Sequence, residues 1–197
     1  MKALTELFIV AFYTVFVQNL VLSSGLGISE AIRVSAKPGT FGRIAVMISG
    51  FSVVTGTLCG LIDMIPAVSG ISFAVRGLIY GGVLASVFAL VAVIAKFIFG
   101  ASDKFLSTLG IAALNTLVFA VPHINNHAAY SLAGSIGSGI GAGAAFVLAA
   151  LLINKGSQLL KENEDIPEVF KGTPAMLFYV AMISLAFAGF SDTNIFG

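Results

Sequence analysis

The chain has 197 residues, of which 58% are hydrophobic and only 10% charged, with a formal net charge of +1 and a mean hydropathy of +1.04. So few charges cannot cover the surface of a water-soluble domain of this size, so the bilayer must be the solvent. The near-neutral balance gives no footing for nucleic acid, and the single cysteine, Cys59, can form neither an intrachain disulfide nor a metal cluster.

A helix needs about 20 apolar residues to cross a bilayer, and the chain contains six apolar blocks in order. The N-terminal "MKALTELF" lacks a cleavage-site pattern and runs into the first block, so it reads as retained. That block, Leu4–Leu22, enters the stretch "NLVLSSGLGIS" (Asn19–Ser29), which is polar, uncharged and glycine-rich. Such backbone is tolerated at membrane depth only where it is buried in protein or lines a cavity. The stretch is therefore either a tight helix crossing or a midplane site for a cofactor or ion.

The second block, Phe41–Ile62, contains Cys59, which reads as a small packed apolar residue, and runs into Asp63. The third is Gly77–Phe99, flanked by Arg76 and Lys96, whose side chains are expected to reach out to the interfaces. The fourth, Phe105–Val121, is short, carries Asn115 and Thr116 at its centre, and is expected to stop at Pro122. His123 and His127 then fall in a polar loop and read as solvated; no acidic partner makes them metal ligands. The fifth block, Ala129–Ile153, opens with "GSIGSGIGAGAAF". No lysine follows the glycines, so this is not a phosphate loop, and Gly137/Gly141 and Gly139/Gly143 are the small-residue spacing that lets membrane helices approach closely. The sixth is Pro174–Phe190. The acidic residues lie in loops or near span ends, so no carboxylate ion site is expected at the bilayer centre. No catalytic constellation and no metal site is present.

The pattern predicts an all-α polytopic membrane protein of six transmembrane helices, because only helices and closed barrels satisfy their backbone in lipid and no strand alternation is seen. Loops 1–2, 3–4 and 5–6 hold Arg33, Lys37, Arg43, Lys96, Lys104, Lys155, Lys161 and Lys171, against Lys2 and Arg76 on the other side. Both termini are therefore expected outside. Six spans divide into a 3+3 inverted repeat within one membrane domain, residues 1–99 and 100–197. Its interrupted helices are 1 and 4. Ser23, Ser24, Gly25, Gly27, Ser29, Asn115 and Thr116 are the residues that would line a shared central site.

Several stretches resemble one family. "FVQNLVLSSGLGIS" with Val34-Ser35, "LSTLG" at Leu106–Gly110, "GSIGSGIGAGAAF", "IPEVFKGTPAM" and "ISLAFAGFS" are similar to the six-span RnfA/NqrE subunits of Rnf and Na⁺-translocating NADH:quinone reductase complexes. The resemblance implies a bacterial cytoplasmic membrane location, the outward termini of the RnfA/NqrE branch, and other complex subunits as partners. One of these partners is a homologous inverted subunit of the RnfE/NqrD type, paired across the glycine-rich faces. It also implies two cysteines from the broken spans of each subunit, holding a mid-membrane [2Fe–2S] cluster that relays electrons between flavin-bearing partners. In frame, those positions fall on Ser29 and near Thr116 or Ala120, none of them cysteine, and Cys59 matches neither. The expectation is an electron-relay or non-catalytic subunit of an ion-translocating oxidoreductase, without the usual cluster ligands and with any other cofactor unknown. The alternatives are a transporter component that binds a small molecule or ion at the same broken helices, and a purely structural partner.

Overall fold

The computed structural model describes residues 1–191, and these are almost wholly helical. The helices are α1 (Lys2–Phe16), α2 (Leu20–Ser23), α3 (Ile28–Ser35), α4 (Phe41–Asp63), α5 (Pro66–Ser69), α6 (Phe73–Phe97), α7 (Asp103–Ala113), α8 (Thr116–His127), α9 (Leu132–Glu162) and α10 (Thr173–Ser191). Five segments are long and apolar enough to cross a membrane: 2–23, 38–63, 73–97, 103–127 and 132–162. With the apolar α10 after them, they make the chain an all-α, multi-pass membrane protein. The last residues of the C-terminal tail, and with them the expected position of that terminus, lie outside the described residues.

Helix α9 is the axis of the bundle. Its glycines remove the Cβ atoms that would otherwise hold neighbours away. A Cβ on Gly137 would strike the Leu7 carbonyl, and one on Gly141 would lie 2.7 Å from Thr14 Cβ, so α1 lies directly on this face. On the other face, a Cβ on Gly139 would lie 2.6 Å from the Val53 backbone nitrogen, and one on Gly143 would lie 2.7 Å from the Ala45 carbonyl, so α4 fits there. Close backbone approach of this kind drives helix association where lipid is as apolar as the side chains. Both glycine faces are thus used inside the chain. This corrects the expectation that they serve a partner subunit: two neighbouring spans already fill them.

Residue pairings give the directions. Gly134 lies at Glu6, Gly141 at Ala11, Ala145 at Asn19, and Asn154 donates to the Ser35 carbonyl at 2.6 Å. The path α1–α2–α3 therefore runs parallel to α9 from Glu6 to Ser35. At about 1.5 Å per residue, the matching stretch of α9 is roughly 30 Å, one hydrocarbon thickness. The first apolar segment thus continues past the break, and α3 prolongs it along α9. Helix α6 meets α7–α8 in antiparallel register, with Phe88 against Gly110, Phe119 against Gly81 and His123 against Gly77. The two halves α7 and α8 are accordingly one crossing, interrupted at Leu114–Asn115.

Two boundary expectations change. Pro122 does not end the fourth span; it sits inside α8, which runs on to His127. Proline removes one backbone donor, but in membrane helices local adjustment and neighbouring helices accommodate the freed carbonyl. His123 is consequently not a solvated loop residue. Its ring packs against Phe73, Tyr80 and Phe119, with centroids 5.0, 4.7 and 5.2 Å away. Arg76 does not reach out to the interface either. It donates to Asn126 Oδ1 at 2.6 Å and to the Val68 carbonyl at 3.3 Å, and lies 3.7 Å from Asp63. A buried acceptor set so close outcompetes the headgroup region. Lys96, on the opposite side, pairs with Asp103 at 2.6 Å.

Candidate functional site

The first break is built by three residues in succession. Helix α1 ends where Val17 and Gln18 both donate to the Tyr13 carbonyl. Asn19, fully buried, restarts the chain: its Oδ1 accepts from Leu22 N at 3.2 Å, and its Nδ2 donates to the Val15 carbonyl at 2.9 Å. One side chain thereby closes the end of α1 and caps α2. Gly25 then turns the backbone left-handed (φ +69°), Leu26 N donates to the Leu20 carbonyl at 3.0 Å, and Gly27, again left-handed (φ +78°), opens α3. Both positions need glycine, because an L side chain there crowds the following carbonyl.

The second break needs fewer residues. Helix α7 stops at Ala113, and Asn115 takes an extended conformation and caps α8 by accepting from Leu117 N at 2.9 Å. The two breaks touch. The Gly27 amide donates to Thr116 Oγ1 at 2.9 Å across 89 residues of sequence, and the bare α-carbon of Gly27 faces the Asn115 side chain. A cavity of about 260 Å³ opens here, walled by Gly25, Gly27, Ser29, Asn115 and Thr116 together with Glu30, Gly110 and Leu114. Of the residues expected to line a shared site, these five are gathered. Ser24 stands beside the cavity without forming its wall, and Ser23 Oγ is turned onto the Asn19 carbonyl at 2.8 Å. Glu30, held by Arg33, is the charged one among the wall residues that sequence reasoning misses; its i, i+3 spacing from Arg33 at the start of a short helix is the signal that points to it.

Electrostatically, the site is the meeting point of two helix starts. Helix α3 runs parallel to α9 and α8 runs against it, so their N-terminal ends meet from opposite directions along the bundle. Each end carries about half a positive elementary charge. The donor set around them is hydroxyl, amide and one carboxylate. The only cysteine, Cys59, is fully buried in α4 and is not among the wall residues. Ser24, Gly25, Ser29, Leu114 and Thr116 are exposed along one side of the two breaks. Among the described residues, no group of three or more His, Cys, Asp or Glu side chains could hold a metal ion.

Comparison with known proteins points to one family of membrane subunits. The family model described as "Rnf-Nqr subunit, membrane protein" matches residues 7–193. The chain is also similar to a subunit of the Na⁺-translocating ferredoxin:NAD⁺ oxidoreductase complex of Acetobacterium woodii, with 28% identity over 191 residues, covering 92% of this chain and 94% of that protein. A match over nearly the whole length, on a fold whose two broken spans meet, establishes that this chain belongs to the Rnf-Nqr family of membrane subunits.

Proposed function

We propose that this chain is a membrane subunit of an Rnf-type complex that moves electrons across the bacterial cytoplasmic membrane and couples that flow to ion translocation. The observation that supports the reading is the contact between the two interrupted segments at Gly27 and Thr116. Its edge exposes Ser24, Gly25, Ser29 and Thr116. Polar, irregular backbone cannot face acyl chains, so in the membrane another protein covers it. A homologous subunit of opposite orientation is the partner whose own breaks would lie at the same depth, and other complex subunits bind beyond it. The chain is then a 3+3 inverted repeat, residues 1–99 and 100–197, with both termini outside, as the loop charges favour.

The family resemblance implies a [2Fe–2S] cluster at this junction, and the residues present do not fit one. Ser29, Thr116 and Asn115 offer neutral oxygen donors, whereas cluster iron is held by thiolates. Cys59 is enclosed in the second span. In this reading the chain contributes the walls, the insulation and the electropositive helix ends around the electron path, and thiolate ligands come from other subunits.

The test is to purify the complex through a tag on this chain. Flavin-carrying and NADH-oxidising partners are expected to co-purify. Leu114→Trp, which stays compatible with lipid but overfills the exposed edge of the junction, is expected to release them while the chain still inserts. Recovery of the chain alone, or an intact complex carrying Leu114→Trp, would refute the proposal. Iron and sulfide assigned stoichiometrically to this chain would refute the account of its ligands.

A further inference from the structure

Helix α9 outruns the segments packed along it. Its stretch from Gly134 to Asn154 already matches the path from Glu6 to Ser35, yet the helix continues from Asn154 to Glu162, about 12 Å further at 1.5 Å per residue. This extension carries Asn154, Lys155, Ser157, Gln158, Lys161 and Glu162. Helix α10 returns beside it with the Tyr179 ring against Gly156, and its start at Thr173 stands about 9 Å beyond Tyr179. The connecting segment 163–172 is thereby lifted past the level of Ser35, at the end of the bundle opposite the N-terminus. The headgroup layer adds only about 5–8 Å to each side of the hydrocarbon, so the segment reaches water. It is braced there. Phe170 N donates to the Pro167 carbonyl at 2.9 Å, closing a turn around Glu168 and Val169. Lys171 pairs with Glu168 at 2.8 Å, and Ala175 N donates to the Phe170 carbonyl at 3.0 Å, tying the turn to α10. On its crest Val169 is 85% exposed and Phe170 56%.

A braced turn that holds two large apolar side chains in water is unfavourable unless something covers them. Lipid is the wrong cover on two counts. The turn stands too far from the acyl chains, and its surroundings are acidic: Glu162, Glu164, Asp165 and Glu168 face only Lys161 and Lys171. Among the described residues, Glu162, Glu164 and Asp165 enter no ion pair. An anionic lipid surface repels such a segment, and segments that seek headgroups carry lysine, arginine and tryptophan instead. We propose that residues 162–170 are a docking surface for a water-side domain of another subunit of the complex, one with an apolar pocket for Val169 and Phe170 and with lysine or arginine on its rim. Apolar anchors in a pocket, ringed by polar pairs, are the usual anatomy of a protein interface. The carboxylates set approach and register, and a turn already braced loses little freedom on docking. The inference rests on reading the chain as a complex subunit.

The chain contains no tryptophan, so Val169→Trp supplies a single fluorescent reporter. In lipid nanodiscs holding the full chain alone, its emission is expected to be quenched by iodide and not by brominated acyl chains. Quenching by brominated lipid would place the turn in the membrane and overturn the proposal. In the complex purified through a tag on this chain, a photocrosslinking side chain at position 169 is expected to attach to one water-side domain, beside lysine or arginine, as peptide mapping would show. Val169→Ser combined with Phe170→Ser should weaken retention of that subunit by about tenfold or more while the membrane partners stay. Glu162→Gln, Glu164→Gln and Asp165→Asn together leave the turn's own bonds intact; they should weaken retention several-fold and flatten its salt dependence. A complex that keeps every subunit in both sets of variants, with no cross-link from position 169, would overturn the docking surface alone. A wild-type chain recovered without partners would refute its membership of a complex, and the docking surface with it.

Discussion

Replacing Gly27 by alanine tests whether the two breaks really bear on each other. Gly27 has φ +78°, a conformation that costs an L-residue about 1–2 kcal/mol. Its new Cβ would also lie 2.7 Å from Asn115 Oδ1 and 3.2 Å from Leu117 Cβ. Asn115 must then turn, and its cap on Leu117 N, worth about 1 kcal/mol, is lost. The expected total is about 2–3 kcal/mol. Gly25 is the matched control: it has φ +69°, and a Cβ placed there would meet nothing within 4 Å, so Gly25→Ala should cost the dihedral contribution alone. The difference, about 1 kcal/mol, corresponds to about 2–4 °C in melting temperature for a chain of this size. Cys59 supplies the assay. It is the sole thiol and is fully buried, so a thiol-activated dye reports unfolding in detergent. Equal melting temperatures for Gly27→Ala and Gly25→Ala would refute the claim that Gly27 is pressed against the second break.

Thr116→Val should strip the Gly27 amide of its partner at a cost of about 1–2 kcal/mol, while Thr116→Ser restores it; dye melting and amide exchange at Gly27 would show both. Asn19→Leu should destabilise by about 1–3 kcal/mol, since the buried Leu22 amide and Val15 carbonyl both lose a partner, and a melting temperature equal to wild type would contradict the capping role. Gly139→Ala should cost about 1–3 kcal/mol by forcing α4 from α9, whereas Gly82→Ala, where a Cβ meets open space, should be neutral or slightly stabilising in the same assay. In sealed vesicles of known sidedness made from a Cys59→Ala chain, a cysteine introduced at Lys2 should label from the outside and one at Lys161 from the cytoplasmic side; the reverse pattern would overturn the charge-based orientation.

The helical class and the two interruptions were legible because lipid leaves a chain few choices. Once hydropathy excludes water, uncharged glycine and asparagine inside a span mark backbone that must be enclosed. Asn115 and Gly27 announce themselves in this way. What the sequence hid was relational. Ile28–Ser35 reads as a loop, since Glu30 and Arg33 break the apolar run, yet it is helical and lies along α9 to Asn154. Pro122 reads as a stop because in water it usually is one. Arg76 reads as an interfacial anchor because Asp63 and Asn126 stand 13 and 50 residues away in sequence. The glycine pairs of α9 correctly signalled close packing, but composition could not say that α1 and α4 already occupy both faces.

The self-contained capping of the breaks has a mechanical consequence. Asn19 satisfies the helix ends on both sides of the first gap and Asn115 caps the helix after the second, so bending at those points leaves the hydrogen bonds inside the flanking helices intact. Helices α4 and α9 have no such joint; flexing them would cost internal bonds and separate backbones in direct contact. Compliance is thereby concentrated in one thin layer of the molecule. Strain arriving from either surface would relax as a hinge at that level, while α4 and α9 hold their shape.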